Sequence, residues 1–314
     1  LEGVALPPRY EALRRLGHGG GGEVWAVRER HGGRKLALKL LARGYGPAEV
    51  DALIRETVAL SGLEGLGLPR VLDFGRLRDG RPFMVRELLP GDSLEALSDS
   101  DATLTELLDA VARVADVLTH LHRAGLLHGD VKPANVIVSD SGEVSLVDLG
   151  LSAPWRDGGT LPEGLTPHYA APEVLSGQRL TARSEVYSIG VMLRELLASR
   201  PSELAPTQKA ALEVVIERST RPEPGLRYPS ADELASALRS AVQLDVPAPL
   251  TSEEHWPVEG IEHAAGSLLS AIDKLGASGK LFLSGPEGSG RSTLLRRVAW
   301  TLSMRGEPLV SLDE

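Results

Sequence analysis

The chain has 314 residues, 42% hydrophobic and 25% charged, which excludes wholesale disorder and, at roughly 100–200 residues per domain, suggests two domains. Forty-three acidic residues against 34 basic ones give a net charge of −9, a poor match for a dedicated nucleic-acid binder, which needs clustered Lys and Arg. There is no cysteine, excluding disulfides, thiolate metal sites and a cysteine nucleophile, and no uninterrupted apolar run of the roughly 18 residues that would mark a membrane-spanning helix. The first residues, Leu1-Glu2-Gly3, carry neither an initiator Met nor a signal-peptide pattern, so the chain reads as a cytoplasmic segment cut from something longer. Of the basic residues 28 are Arg and only 6 are Lys, so each Lys is a candidate for chemistry that Arg does not do.

In chain order, residues 9–88 read as short strands around one helix. Leu16-Gly17-His18-Gly19-Gly20-Gly21-Gly22-Glu23-Val24 is a glycine-rich turn whose backbone N–H groups could approach phosphate oxygens without an intervening side chain. Alone, this pattern fits a flexible hairpin equally well. Leu36 to Leu41 is a compact apolar run, read as a strand. Within it Lys39, fifteen residues after Val24, supplies a cation that could reach phosphates. Val50, Leu53, Ile54, Val58 and Leu60 fall near helical spacing. Glu56 on that helix could pair with Lys39, although a single Glu more often sits on a solvated face, and Glu49 competes a turn or two earlier. Pro82 to Val85 reads as a further strand before the Pro90-Gly91 break.

From about residue 103 the period turns helical, with Leu104, Leu107, Leu108, Val111, Val114, Ala115, Leu118 and Leu121 in step and Gly125 as the stop. His128-Gly129-Asp130-Val131-Lys132-Pro133-Ala134-Asn135 follows. There Asp130 would accept the proton of an incoming hydroxyl, Lys132 would stabilise a transferring phosphoryl group, and Asn135 could ligate Mg²⁺. Val144-Ser145-Leu146-Val147-Asp148-Leu149-Gly150 ends a strand with a second metal-competent carboxylate, Asp148. A lone Asp-x-Gly is commonly a hairpin turn, but the whole ordered set is not explained that way. Helices are expected at about 184–198, 207–219 and 230–243, the last with a capping box from Ser230 to Glu233. A strand-rich half followed by a helix-rich half implies an α+β fold with a cleft between two lobes.

After residue 244 the composition shifts to a Pro-rich linker, 244–257, then a helix near 260–275 and an apolar strand, Leu281-Phe282-Leu283. Gly285-Pro286-Glu287-Gly288-Ser289-Gly290-Arg291-Ser292-Thr293 has the spacing of a phosphate-binding P-loop, with Arg291 in place of the usual Lys. Residues 258–314 therefore read as a truncated α/β P-loop segment, for which a structural remnant or anion-binding turn is the competing reading.

Residues 9–243 resemble the eukaryotic-like (Hanks-type) serine/threonine protein kinases of bacteria. The resemblance rests on the glycine-rich loop, Ala37-Leu38-Lys39, the helical Glu56, the 128–135 loop, Asp148-Leu149-Gly150, Ala171-Pro172-Glu173, Ser184-Glu185-Val186-Tyr187-Ser188-Ile189-Gly190 and Arg227. It implies a two-lobed kinase fold, with an N-lobe at 9–88 and a C-lobe at 89–243, transferring the γ-phosphoryl of Mg²⁺-ATP to protein Ser or Thr. ATP would lie against Leu16, Gly17, Gly19, Gly22, Val24, Ala37 and Lys39, with adenine on the backbone of Glu87 and Leu89. Asn135 and Asp148 would hold metal, while Asp130, Lys132, Asn135, Lys39 and Glu56 form the catalytic set, and Arg227 would pair with Glu173. The tail resembles ATPase modules that follow kinase domains in large bacterial signalling proteins, which implies an intramolecular contact with the kinase half; the acidic charge balance and the lack of a membrane-spanning apolar run lead us to expect no nucleic-acid or membrane partner. Four positions depart from the pattern: Gly129 for the usual Arg, Gly21 for an aromatic at the loop tip, Leu165 for Gly, and Arg86 at the gatekeeper place, where a charge must reach solvent or a partner. These departures keep a second reading open, a pseudokinase scaffold that binds ATP and gates a downstream ATPase.

Overall fold

The computed structural model describes residues 6–19, 22–61, 65, 67–149, 153–154, 166–246, 261–275 and 281–285, with single positions 291, 294, 295, 298 and 302. The chain divides into two compact units, the first formed by 1–62, 71–87 and 255–314 and the second by 63–70 and 88–254.

The first unit is built on strands β1 (Tyr10–Gly19), β2 (Gly22–Glu29), β3 (Lys35–Leu40), β4 (Val71–Arg76) and β5 (Pro82–Glu87). They form one antiparallel sheet in the order β1-β2-β3-β5-β4. Alternation along β3 decides which side chains do what. Leu36, Leu38 and Leu40 enter a core with Tyr10, Val27, Phe83 and Val85, each such burial contributing about 1.5–3 kcal/mol. Lys39 points to the other face, opposite Val24 on one side and Met84 on the other. Helix α1 (Pro47–Ser61) lies on that face: Thr57 donates to the Leu53 carbonyl at 2.7 Å and contacts Met84 Sδ at 3.2 Å, fixing the helix over β5. Helix α8 (Ile261–Lys274) spans the segment expected to be helical and buries Ala265, Leu268 and Leu269 with Val298 in a separate cluster. Leu281-Phe282-Leu283, expected as a strand, has no regular structure, and Phe282 is 88% exposed. An apolar triplet becomes a strand only against a partner, and among the described residues none pairs with it. Residues 286–290, 292 and 293 of the P-loop pattern lie outside the described residues.

The second unit is mainly helical: α2 (Leu94–Ser98), α3 (Leu104–Arg123), α4 (Pro172–Leu175), α5 (Ala182–Ser199), α6 (Pro206–Ser219) and α7 (Ala231–Val242). Helix α3 starts with a reciprocal capping box between Thr103 and Glu106 and ends before Gly125, whose φ of +76° stops it. Its heptad-like apolar stripe is buried as the spacing requires. Ser230 stands at the N-cap of α7 but makes no side-chain cap bond, so the box expected with Glu233 is not formed; a reciprocal box occurs instead between Thr181 and Ser184 on α5. Short strands complete the unit: β6 (Asp92–Ser93), β8 (Val136–Val138) and β9 (Val144–Leu146) form one sheet, and β7 (Leu126–Leu127) pairs with β10 (Ala153–Pro154). Residues 63–70 belong here rather than with the sheet unit, because Leu146 N–H donates to the Gly67 carbonyl at 2.8 Å. No described helix is long and apolar enough to cross a membrane.

Candidate active site

In the first unit the glycine-rich turn is the β1–β2 hairpin, with Gly19 paired to Gly22 and Gly20 and Gly21 outside the described residues. Gly22 has φ +137°, and a Cβ there would collide with the Leu40 carbonyl, so only glycine fits. Gly17, by contrast, faces open space, with no heavy atom within 4 Å of where a Cβ would sit. An open backbone on that side is what a phosphate chain needs in order to approach. Leu16 and Val24 are half-buried in the same hairpin, and Ala37 is buried on β3.

Lys39 Nζ lies 2.7 Å from Glu56 Oε2, and the Glu56 side chain is fully buried. This settles the choice between the two glutamates, because Glu49 is occupied at the start of α1, where its Oε2 accepts from Gly46 N–H at 2.8 Å. A buried pair of this kind holds the lysine in one place, and removing one partner leaves an uncompensated charge at a cost of about 3–5 kcal/mol. Arg86 on β5 is buried rather than solvent-facing and engages a partner. Glu87 closes β5, opposite Leu36.

In the second unit the catalytic-loop residues converge on one carboxylate. Lys132 Nζ is 2.6 Å from Asp130 Oδ2, and Asn135 Nδ2 donates to the Asp130 carbonyl at 2.8 Å and to Oδ2 at 3.2 Å. Thr166 N–H donates to Asp130 Oδ1 at 3.2 Å, while its hydroxyl accepts from Lys132 Nζ at 2.7 Å. Because the amide nitrogen of Asn135 is spent on Asp130, its carbonyl oxygen remains as a ligand. Asp148 follows two residues after β9 with φ +64°, a left-handed conformation costing a non-glycine residue about 1–3 kcal/mol and clustering at functional sites. An amide oxygen and a carboxylate are hard donors that suit Mg²⁺, an ion that takes few protein ligands and fills its octahedron with water and phosphate oxygens. The donor chemistry of Asn135 and Asp148 therefore suits Mg²⁺.

Deeper contacts position this loop, and sequence reasoning did not supply them. Fully buried His128 meets the Val147 carbonyl through Nε2 at 3.1 Å and accepts from Asp130 N–H through Nδ1 at 3.2 Å, tying the loop to the strand end before Asp148. Gly129, at φ +90°, donates its N–H to Glu185 Oε1 at 2.8 Å, and His122 Nε2 lies 2.6 Å from Glu185 Oε2. Burial pushes the Glu185 carboxyl up, but the His122 hydrogen bond, the nearby His128 and the Gly129 N–H together hold it below its ordinary range. Below the loop, Arg227 grips Glu173 with two bonds of 2.7 Å, and Ser184 donates to the same carboxylate at 2.8 Å. The pair expected from the resemblance is thus formed, with the Arg227 side chain fully buried. Tyr169 and His168 both reach Glu195 on α5.

A cation held by a buried glutamate in one unit, and in the other an aspartate braced by lysine, asparagine and threonine, define a phosphotransferase of the kinase class. Residues 10–245 match the family model described as protein kinase domain, and the chain belongs to that family. It is similar to the DNA damage-responsive serine/threonine-protein kinase RqkA of Deinococcus radiodurans, 33% identical over 221 residues that cover 67% of this chain and 33% of the relative. It is also similar to the serine/threonine-protein kinase PknD of Mycobacterium tuberculosis, 30% identical over 276 residues, covering 78% of this chain and 40% of that protein. A probable serine/threonine-protein kinase of Streptomyces coelicolor is 29% identical over 263 residues, 73% of this chain and 39% of its own length. The domain is that of a protein serine/threonine kinase, and the chain spans 33–40% of the length of these three relatives.

Proposed function

We propose that the chain transfers the γ-phosphoryl group of Mg²⁺-ATP to serine or threonine hydroxyls of protein substrates. The observation that carries this reading is the bracing of Asp130, whose two carboxylate oxygens are oriented by Lys132, Asn135 and Thr166. Asp130 would take the proton of the acceptor hydroxyl as the new phosphate ester bond forms and the bond from the γ-phosphorus to the bridging oxygen breaks, releasing ADP. Lys132, already beside Asp130, would neutralise charge on the transferring group. Lys39, fixed by Glu56, would position the α- and β-phosphates, with Gly17, Gly19 and Gly22 supplying backbone N–H groups above them. Asn135 and Asp148 would hold Mg²⁺, which when bound neutralises phosphate charge on the leaving side. Glu87 and Leu89 would receive adenine through their backbones, with Leu16, Val24 and Ala37 as its apolar walls. We infer also that residues 258–314 begin a P-loop module of a longer signalling protein.

The test is incubation with radiolabelled ATP, Mg²⁺ and a generic basic protein acceptor. Wild type should label the acceptor on Ser and Thr, and Asp130→Asn should lose about 10²–10⁴-fold in rate, the range of general acid–base catalysis. Nucleotide binding without labelling in the wild type would instead show a scaffold.

A further inference from the structure

The loop that starts at Thr166 leads from Asp130 to the far half of α5. Thr166 N–H donates to Asp130 Oδ1 at 3.2 Å, and two turn bonds, from Tyr169 N–H to the Thr166 carbonyl and from Ala170 N–H to the Pro167 carbonyl, keep the next residues close behind it. Ser188 Oγ donates to the Tyr169 carbonyl at 2.9 Å and fixes this turn to α5. The loop is thus held in one place beside the carboxylate assigned to the acceptor hydroxyl, where the chain flanking that hydroxyl passes.

At that place α5 presents Glu195. Tyr169 Oη donates to Glu195 Oε2 at 2.8 Å, and His168 Nε2 meets Oε1. Burial and the hydrogen bond to Glu195 push the Tyr169 hydroxyl well above its ordinary range, so it stays a donor. His168 is held differently. Its side chain is 63% exposed and that of Glu195 39%, so the imidazole can swing into water without uncovering the core. Exposed ion pairs of this kind are weak. Among the described residues no lysine or arginine pairs with Glu195, and Glu95 of α2 adds a second negative charge that acts on Tyr169. Each carboxylate oxygen has room for a further hydrogen bond. The site therefore combines a half-exposed acceptor, a negative field and a displaceable imidazole standing where a cation would. An acidic acceptor segment is repelled here, and an apolar one offers the carboxylate nothing. A lysine or arginine side chain satisfies it, arginine through both oxygens at once.

We propose that Glu195 selects acceptor proteins with a lysine or arginine within about four residues of the phosphorylated hydroxyl, and that His168 is the built-in competitor which that side chain displaces. The span follows from the geometry. The turn from Thr166 to Tyr169 covers about 7 Å, the tyrosine side chain adds about as much again, and ~14 Å is about four residues of extended chain. This deepens the phosphoryl-transfer reading and rests on it. The competition has a sign. The groups facing His168 are Glu195 from α5 and Tyr169 from its own loop, with Glu95 of α2 beyond Tyr169. An imidazole is charged in acid and neutral in base, so His168 holds Glu195 more firmly at low pH. The preference for a cationic acceptor grows as pH rises.

The test uses synthetic peptides with one serine in a glycine–alanine background, carrying arginine or glutamine at each of the four positions on either side. The full chain is assayed for kcat/KM on each. At least one arginine peptide should exceed its glutamine twin tenfold or more at about pH 8, and that ratio should fall at least threefold at about pH 6. Glu195→Gln, which keeps an oxygen for the Tyr169 hydroxyl, should bring the ratio below threefold. His168→Ala should keep the ratio level between the two pH values. Ratios between twin peptides cancel a general loss of activity, so a merely structural role for Glu195 would lower both twins alike. The proposal is overturned if no arginine position helps, if the preference survives Glu195→Gln, or if the wild-type ratio is the same at both pH values. If wild type labels neither these peptides nor the generic basic acceptor, the phosphoryl-transfer reading fails on its own. Fluorescence polarisation of the same peptides, fluorescein-labelled, then decides this proposal by the same ratios taken as affinities.

Discussion

Lys39 and Asp148 sit on different elements, and each is placed by its own local constraint. Lys39 alternates away from the Leu36–Leu38–Leu40 face and meets Glu56, while Asp148 is held at φ +64°. Lys39→Met and Asp148→Asn are each expected to abolish phosphoryl transfer, and Asp148→Asn should also weaken Mg²⁺-dependent ATP binding, measured by titration calorimetry with and without the metal. Full transfer in either variant would overturn the roles given to them. A pH prediction follows from Glu173. Burial opposes its charge, yet Arg227 and Ser184 hold its carboxyl below the ordinary value of 4.5. A depressed folded-state pKa means stability that is present above the unfolded value and is lost as pH falls through the folded one. The urea midpoint should therefore fall below about pH 4.5, and a Glu173→Gln, Arg227→Met double variant should show a smaller fall. An equal acid slope in both proteins would remove Glu173 from the account.

At the scale of elements, packing between helices sets tolerances that single residues reveal. A Cβ on Gly190 of α5 would lie 2.6 Å from Ser219 Cβ and 2.8 Å from Thr220 Cγ2, at the end of α6. Gly190→Ala is expected to destabilise the domain by about 1–3 kcal/mol through overpacking, read as a lower urea midpoint; an unchanged midpoint would show that α6 yields freely. The same comparison explains what could be read from the sequence. Helix α3 was legible because its apolar positions repeat at helical spacing up to the stop at Gly125, whereas its Thr103–Glu106 capping box emerged only in the structure. The Lys39–Glu56 pair was legible as spacing, Glu49 sitting a turn or two too early, and the structure shows Glu49 taken by Gly46 instead. Leu281-Phe282-Leu283 was misread because a short apolar run carries no information about whether a neighbouring strand exists. The supports of the catalytic loop were invisible for a related reason. His122 and Glu185 are 63 positions apart, Gly129 and Glu185 56, and nothing local in either stretch announces the other.

For the molecule as a whole, two expectations concern control. The apolar cluster of α8 is separate from the sheet core, and the P-loop pattern carries Arg291 where a lysine is usual. Deleting residues 258–314 should therefore leave kinase activity nearly unchanged, and a large loss of ATP hydrolysis with transfer intact would show that the tail has chemistry of its own. The second expectation concerns phosphorylation. In kinases of the resembling family, the arginine before the catalytic aspartate is commonly ordered by a phosphate on the activation segment. Gly129 occupies that position here and brings no cation. Its backbone is instead fixed by Glu185, and Asp130 is oriented by Lys132, Asn135 and Thr166. The segment between Asp148 and Glu173 offers Ser152, Thr160 and Thr166 as acceptors, and Thr166 is already committed to Lys132 through its hydroxyl. Phosphorylating Thr166 would place a dianion beside the Asp130 carboxylate and break that arrangement. Activity is therefore expected to be independent of activation-segment phosphorylation. Phosphatase treatment followed by an initial-rate assay, with Ser152→Ala and Thr160→Ala alongside, checks this directly. A dephosphorylated enzyme that starts more than about tenfold slower, roughly 1.4 kcal/mol in barrier, and recovers on autophosphorylation would show that another group has taken over the missing arginine's task.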